Sequence, residues 1–175
     1  MIARSALVRM VVVALLVGVV PARAQNPEAP AVGVLDSTGA LAGHPLNETV
    51  VLVTVRAGLV APATIRPIYD ADARTASGLA TWGSGGSVLF TSADCSTGAH
   101  IATQTNAGLR ATSQVELPNG VVLYVGDIGM PRTVEVRSIL YGSGCTSTTV
   151  RQNGLVPVID ILNLTRIHPP PLSIQ

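Results

Sequence analysis

Ala111-Thr112-Ser113-Gln114-Val115-Glu116-Leu117, then Pro118-Asn119-Gly120, then Val121-Val122-Leu123-Tyr124-Val125 is the stretch that decides the fold. Two strand-like runs, the second almost wholly apolar, flank an Asn-Gly step. Both residues of that step accept positive φ, and the combination is the strongest short signal for a hairpin. The two runs are therefore expected to pair antiparallel. Outward from this hairpin the period stays near two. Thr133 to Tyr141 sets Val134, Val136 and Leu140 on one face and Thr133, Glu135 and Arg137 on the other, as a half-buried strand does. Val50 to Val55 is almost continuously β-branched, which predicts a central strand covered on both faces.

Shorter strand candidates are Ala31 to Leu35, Ala40 to Ala42, Thr64 to Ile68, Gly78 to Trp82, Ser87 to Thr91, Ala99 to Thr103 and Leu155 to Leu162. Gly, Pro, Asp or Ser clusters bound each of them. Pro157 demotes the last to an edge or bulged strand, because proline donates no ladder hydrogen bond. No segment beyond the leader carries a helical stripe with caps, and Asp70 to Ser77 holds at most a turn or two. The fold class that follows is all-β, an antiparallel sandwich or small barrel forming one domain.

The chain begins with a leader. Arg4 and Arg9 precede an apolar run from Met10 to Val20, Pro21 breaks it, and Ala22-Arg23-Ala24 supplies a small-x-small cleavage pattern. Residues 1–24 are read as a signal peptide, 25–30 as an N-terminal linker, 31–167 as the β-domain, and 168–175 as a Pro-rich tail favouring extended polyproline conformation. The apolar run is too short to span a bilayer, so no membrane span is expected after cleavage. A secreted or periplasmic location follows. Cleavage leaves eight arginines against ten acids, a formal charge of −2.

Of 175 residues, 47% are hydrophobic and only 12% charged, which excludes a disordered, highly charged chain. Every basic residue is Arg, and no strongly basic face is available for phosphate backbones, so nucleic acid is not an expected partner. Cys95 and Cys145 are the only cysteines. In an oxidising compartment they are expected to form one disulfide, worth about 4 kcal/mol by chain entropy for a loop of this size. A free nucleophilic thiol with a histidine partner is the competing reading.

Compact catalytic motifs are missing from the sequence. Gly83-Ser84-Gly85-Gly86 and Gly142-Ser143-Gly144 lack the order of a nucleophile elbow and read as flexible turns. His44, His100 and His168 are far apart in sequence and read as exposed loop histidines, so neither metal nor cofactor is expected. Asp70-Ala71-Asp72 opens like a calcium loop, but Arg74 takes the place of the next ligand. Glu116 and Glu135 would form a glycosidase pair only if their strands were neighbours, and surface charges facing arginines are the plainer reading. Asn47-Glu48-Thr49 and Asn163-Leu164-Thr165 are sequons on which nothing is built. His44 and His100 with Asp94 stay open as a site assembled only by folding.

Val32-Gly33-Val34-Leu35-Asp36-Ser37-Thr38-Gly39-Ala40-Leu41-Ala42-Gly43 and, later, Phe90-Thr91-Ser92-Ala93-Asp94-Cys95-Ser96-Thr97-Gly98 carry a resemblance. They resemble uncharacterised secreted bacterial β-proteins that pair a D-x-x-G hairpin with an S-x-D-C-x-G motif. Those relatives place more aromatics before the second motif, where Leu89 and Phe90 stand alone here. The resemblance implies a secreted β-domain with a second cysteine downstream, as Cys145 is, and assigns no catalytic residue. The function expected from the whole sequence is non-catalytic: an exported domain acting by surface binding or as a structural element, with an unidentified partner. The alternatives are a subunit of an extracellular assembly joined by β-strand addition, and a hydrolase whose site exists only in the fold.

Overall fold

A computed structural model describes residues 32–56, 58–71, 76–103, 108–142 and 144–175. Residues 1–31, on which the expected leader and linker fall, and Asp72 and Arg74 of the calcium-like opening lie outside the described residues. The chain is all-β. Its strands are β1 (Val34–Leu35), β2 (Leu41–Asn47), β3 (Val50–Arg56), β4 (Leu59–Tyr69), β5 (Ala76–Trp82), β6 (Ser87–Phe90), β7 (Ala99–Ala102), β8 (Thr112–Leu117), β9 (Gly120–Gly126), β10 (Arg132–Tyr141), β11 (Gly144–Asn163) and β12 (Leu172–Ile174). One turn of helix, α1 (Leu164–Ile167), separates the last two.

Six strands close a barrel in the order β1-β12-β5-β4-β3-β2, and six form a second sheet in the order β10-β6-β7-β11-β9-β8. In the barrel, Ala42, Ala61, Ala63 and Ala80 leave room for Trp82 and Ile65, the mix of small and large side chains that a narrow barrel needs. β9 joins the two halves. Val121, Leu123 and Val125 pack into the barrel's core, while Val122 and Tyr124 on the opposite face pack with Phe90, Ile101, Val115 and Leu140. Each fully buried Val or Leu contributes about 1.5–3 kcal/mol, so this strand is an anchor for both cores.

Three expectations change. The strand covered on both faces is β9, whereas β3 buries only Val51 and Val53 and leaves Thr54 exposed. The two runs pair antiparallel as expected, with Thr112 opposite Val125 and Leu117 opposite Gly120. Its turn differs: Pro118 and Asn119 are the two central residues, and Gly120 alone has positive φ, at 110°, as the first residue of the returning strand. Proline's fixed negative φ suits the first central position of such a turn, which moves the left-handed residue one place on. The third change is the tail. Within residues 168–175, Leu172–Ile174 are a barrel strand: Leu172 is fully buried, and β12 pairs with both β1 and β5.

β11 changes partner along its length. Its first half pairs with β10, Leu155 to Pro157 with β7, and Val158 to Asn163 with β9. Pro157 therefore lies inside the sheet, next to a register shift between Val158 and Asp160, so the bulged alternative is the one realised. The Pro157 carbonyl still accepts from the Asp127 N–H at 2.9 Å.

Candidate functional site

A cleft of about 400 Å³ opens where the barrel meets the second sheet. β8 and the connector between β5 and β6 build its floor. The buried side chain of Gln114 acts there as a substitute strand: its Oε1 accepts from the Thr64 N–H, and its Nε2 donates to the carbonyls of Thr64 and Gly83, each at 3.0 Å. Ser113 donates to the Ser87 carbonyl at 2.8 Å and Thr112 to that of Pro62 at 2.9 Å. A glycine is required at position 86, because a Cβ there would stand 2.3 Å from the Ser113 hydroxyl oxygen. The polar floor is thus fully paired, which is the condition for keeping such groups buried.

The walls are different in chemistry. Leu46 and Val50 stand on the barrel side, Ile101 and Leu109 on the other. Arg110 donates to the Gly126 carbonyl at 3.3 Å and makes no ion pair among the described residues. Ser84, at one end, donates to the Glu116 carboxylate at 3.1 Å, while Arg66 donates to the Ser84 carbonyl. The cleft therefore offers the Arg110 cation, without an ion pair among the described residues, the Ser84 hydroxyl and an apolar wall, a combination suited to holding a ligand with both polar and apolar parts.

Glu116 and Glu135 do not meet. β8 and β10 are not hydrogen-bonded neighbours, and Glu135 is held by Arg137 on its own strand at 3.1 Å, both exposed. His44 lies in β2 and His100 in β7, on different sheets, so they form no joint site with Asp94. Both are strand residues, not loop residues. His100 is fixed through Nδ1 to the Gly98 carbonyl at 2.8 Å. Among the described residues no group of three or more His, Cys, Asp or Glu side chains is gathered as for a metal ion.

The two motifs of the resemblance turn out to be architectural. Buried Asp36 accepts from the Thr38 hydroxyl (2.6 Å), the Thr38 N–H (2.8 Å) and the Ala40 N–H (3.1 Å) through Oδ1, and from His168 Nδ1 through Oδ2 at 3.1 Å. The Thr38 hydroxyl above all, opposed by burial and helped by the remaining donors, holds the carboxyl at a pKa of about 2. The second motif is a tight turn with two residues, Ser96 and Thr97, between Cys95 and Gly98. Asp94 accepts from the Ser96 hydroxyl and N–H, which lowers its pKa, the hydroxyl most of all. Cys95 takes a left-handed φ of 56° there and is bonded to Cys145 of β11.

Both sequon asparagines have local work to do. Asn47 accepts from Thr49 in the β2–β3 turn, and Asn163 caps α1 by accepting the Arg166 N–H at 2.9 Å. Gln114 and Arg110 were not legible as site residues, because a single amide and a single arginine have no spacing to betray them. Among the described residues no helix is long and apolar enough to cross a membrane. The disulfide is compatible with an oxidising compartment outside the cytoplasm. Comparison with known protein families, with curated proteins and with solved structures finds no match for this chain.

Proposed function

We propose that this is an exported β-domain that acts by contact, without turnover, and that its ligand sits in the cleft between barrel and sheet. The observation that carries this reading is Arg110, a cation with no carboxylate partner among the described residues in a cleft of about 400 Å³ with an apolar wall. The leader read from Arg4 to Ala24, the disulfide and the resemblance to secreted β-proteins support export. An NMR titration of isotopically labelled protein with soluble glycans, short peptides and organic acids tests it. Saturable shifts at Asn47 and Arg110 that vanish in Arg110→Ala are expected. Conversion of any of these compounds, abolished by Glu116→Gln or Ser84→Ala in a folded variant, replaces contact by hydrolysis.

A second reading, assembly by strand addition, has its own observation. The Val-rich strands β3 and β9 have partners on both sides, whereas Arg132–Val136 of β10 pairs only with β11, and the first half of β11, from Cys145 to Asn153, only with β10 among the described residues. From Cys145 to Val150 this outer edge carries no charge and no proline, the usual guards of an open strand. Size-exclusion chromatography over a concentration series distinguishes the readings: association abolished by Thr149→Lys favours the edge, and a monomer at every concentration removes self-assembly through it.

A further inference from the structure

A second groove of about 250 Å³ lies on the outer face of the barrel, lined by Leu41, Gly43, His44, Leu52, Val60 and His168. Folding thus brings to one place two histidines separated by most of the domain. Each ring is held by one nitrogen. His44 Nδ1 lies 3.3 Å from the Val32 carbonyl oxygen, and His168 Nδ1 lies 3.1 Å from Asp36 Oδ2. A carbonyl and an ionised carboxylate only accept hydrogen bonds, so Nδ1 carries the proton in both rings. In a neutral imidazole that leaves the Nε2 lone pair available.

This is the outer support that metal-binding histidines have: a ring N–H donated to a carbonyl or carboxylate fixes the tautomer and raises the basicity of the other nitrogen. The geometry points to a two-histidine site for a divalent first-row transition metal in this groove, with His44 and His168 as ligands and Asp36 as the residue positioning His168. Asp36 is suited to that role because Oδ1 of its buried carboxylate is fixed by the Thr38 hydroxyl and the Thr38 and Ala40 N–H groups, while Oδ2 faces His168 Nδ1 at 3.1 Å. No third protein ligand is gathered among the described residues, so water or a solute completes the coordination, and the site is open in character. Copper(II) stands highest in the usual affinity order and is the probe of choice. His100 supplies an internal control, with its Nδ1 on the Gly98 carbonyl, in a strand of the other sheet and outside the lining of this groove.

Protein stripped of metal is titrated with copper(II) sulfate, followed by calorimetry and by electron paramagnetic resonance. One ion per chain with two imidazole nitrogens in the spectrum is expected. His44→Ala, an exposed change whose folding is checked by circular dichroism, should weaken binding by at least about tenfold, and Asp36→Asn by roughly 10–100-fold. His168→Gln should act as His44→Ala does, and His100→Ala should change nothing. Copper binding that survives His44→Ala at full affinity, a spectrum with a single imidazole, copper held at the amino terminus alone, or no binding at all overturns the assignment.

Discussion

The barrel and the second sheet use similar short strands and are held together in different ways. The barrel closes on itself, so its hydrogen bonds leave no free edge and its core can be built largely of alanine and valine around one tryptophan. The second sheet has larger core residues, Phe90, Ile101, Tyr124 and Leu140, yet half of its longest strand lies outside any core. There the Cys95–Cys145 bond ties that polar half to the β6–β7 turn. A closed ladder needs little apolar mass, whereas an open ribbon needs a covalent tie or a partner. β9, buried in both cores, makes the two arrangements interdependent.

The largest test of this contrast is Cys145→Ser. Removing the bond across 50 residues should cost about 4 kcal/mol and lower Tm by roughly 8–16 °C, read by calorimetry under non-reducing conditions. Leu172→Ala strikes the barrel's seam and should cost about 2–5 kcal/mol in urea unfolding, the range for a fully buried leucine. In both variants fluorescence of Trp82, which reports on the barrel, and circular dichroism, which reports on all strands, should give coincident transitions. Separate transitions would show that β9 does not couple the halves.

Gly120→Val is expected to cost about 1–3 kcal/mol, less than the first two, because it strains a positive φ and brings a Cβ within 2.5 Å of Thr165 Cβ. A neutral result would show that the turn and α1 yield freely. The smallest effect concerns acid. Asp36 is held at about 2 against an ordinary 3.8, so it favours the folded state above the ordinary value, and that contribution is lost as pH falls toward 2. Unfolding midpoints in urea between pH 5 and pH 2 should fall less steeply in Asp36→Asn than in the parent.

Period-two alternation found β10, whose side chains distinguish its buried face, and the Asn-Gly step found the β8–β9 pair, although β9 is buried on both faces. The first half of β11 escaped notice since Thr146, Ser147 and Thr149 are exposed and show no apolar alternation. β12 was hidden by the prolines before it, and only the pairing with β1 and β5 makes a strand of Leu172–Ile174. The almost continuously β-branched run of β3 suggests two covered faces, but a barrel buries one. For the cleft, Ser84 and Arg110 come to line one opening only through the fold, from segments far apart in sequence.

The seam between β1 and β12 also bears on how the chain matures. Val34 lies opposite Ile174, so the first and last strands of the barrel must wait for each other. While a nascent chain emerges, β1 and β5 present open edges until residues 172–174 are released, and pairings this distant in sequence form slowly. The newborn protein is therefore adhesive for longer than its short strands suggest, and a holding chaperone that masks strand edges should raise its yield.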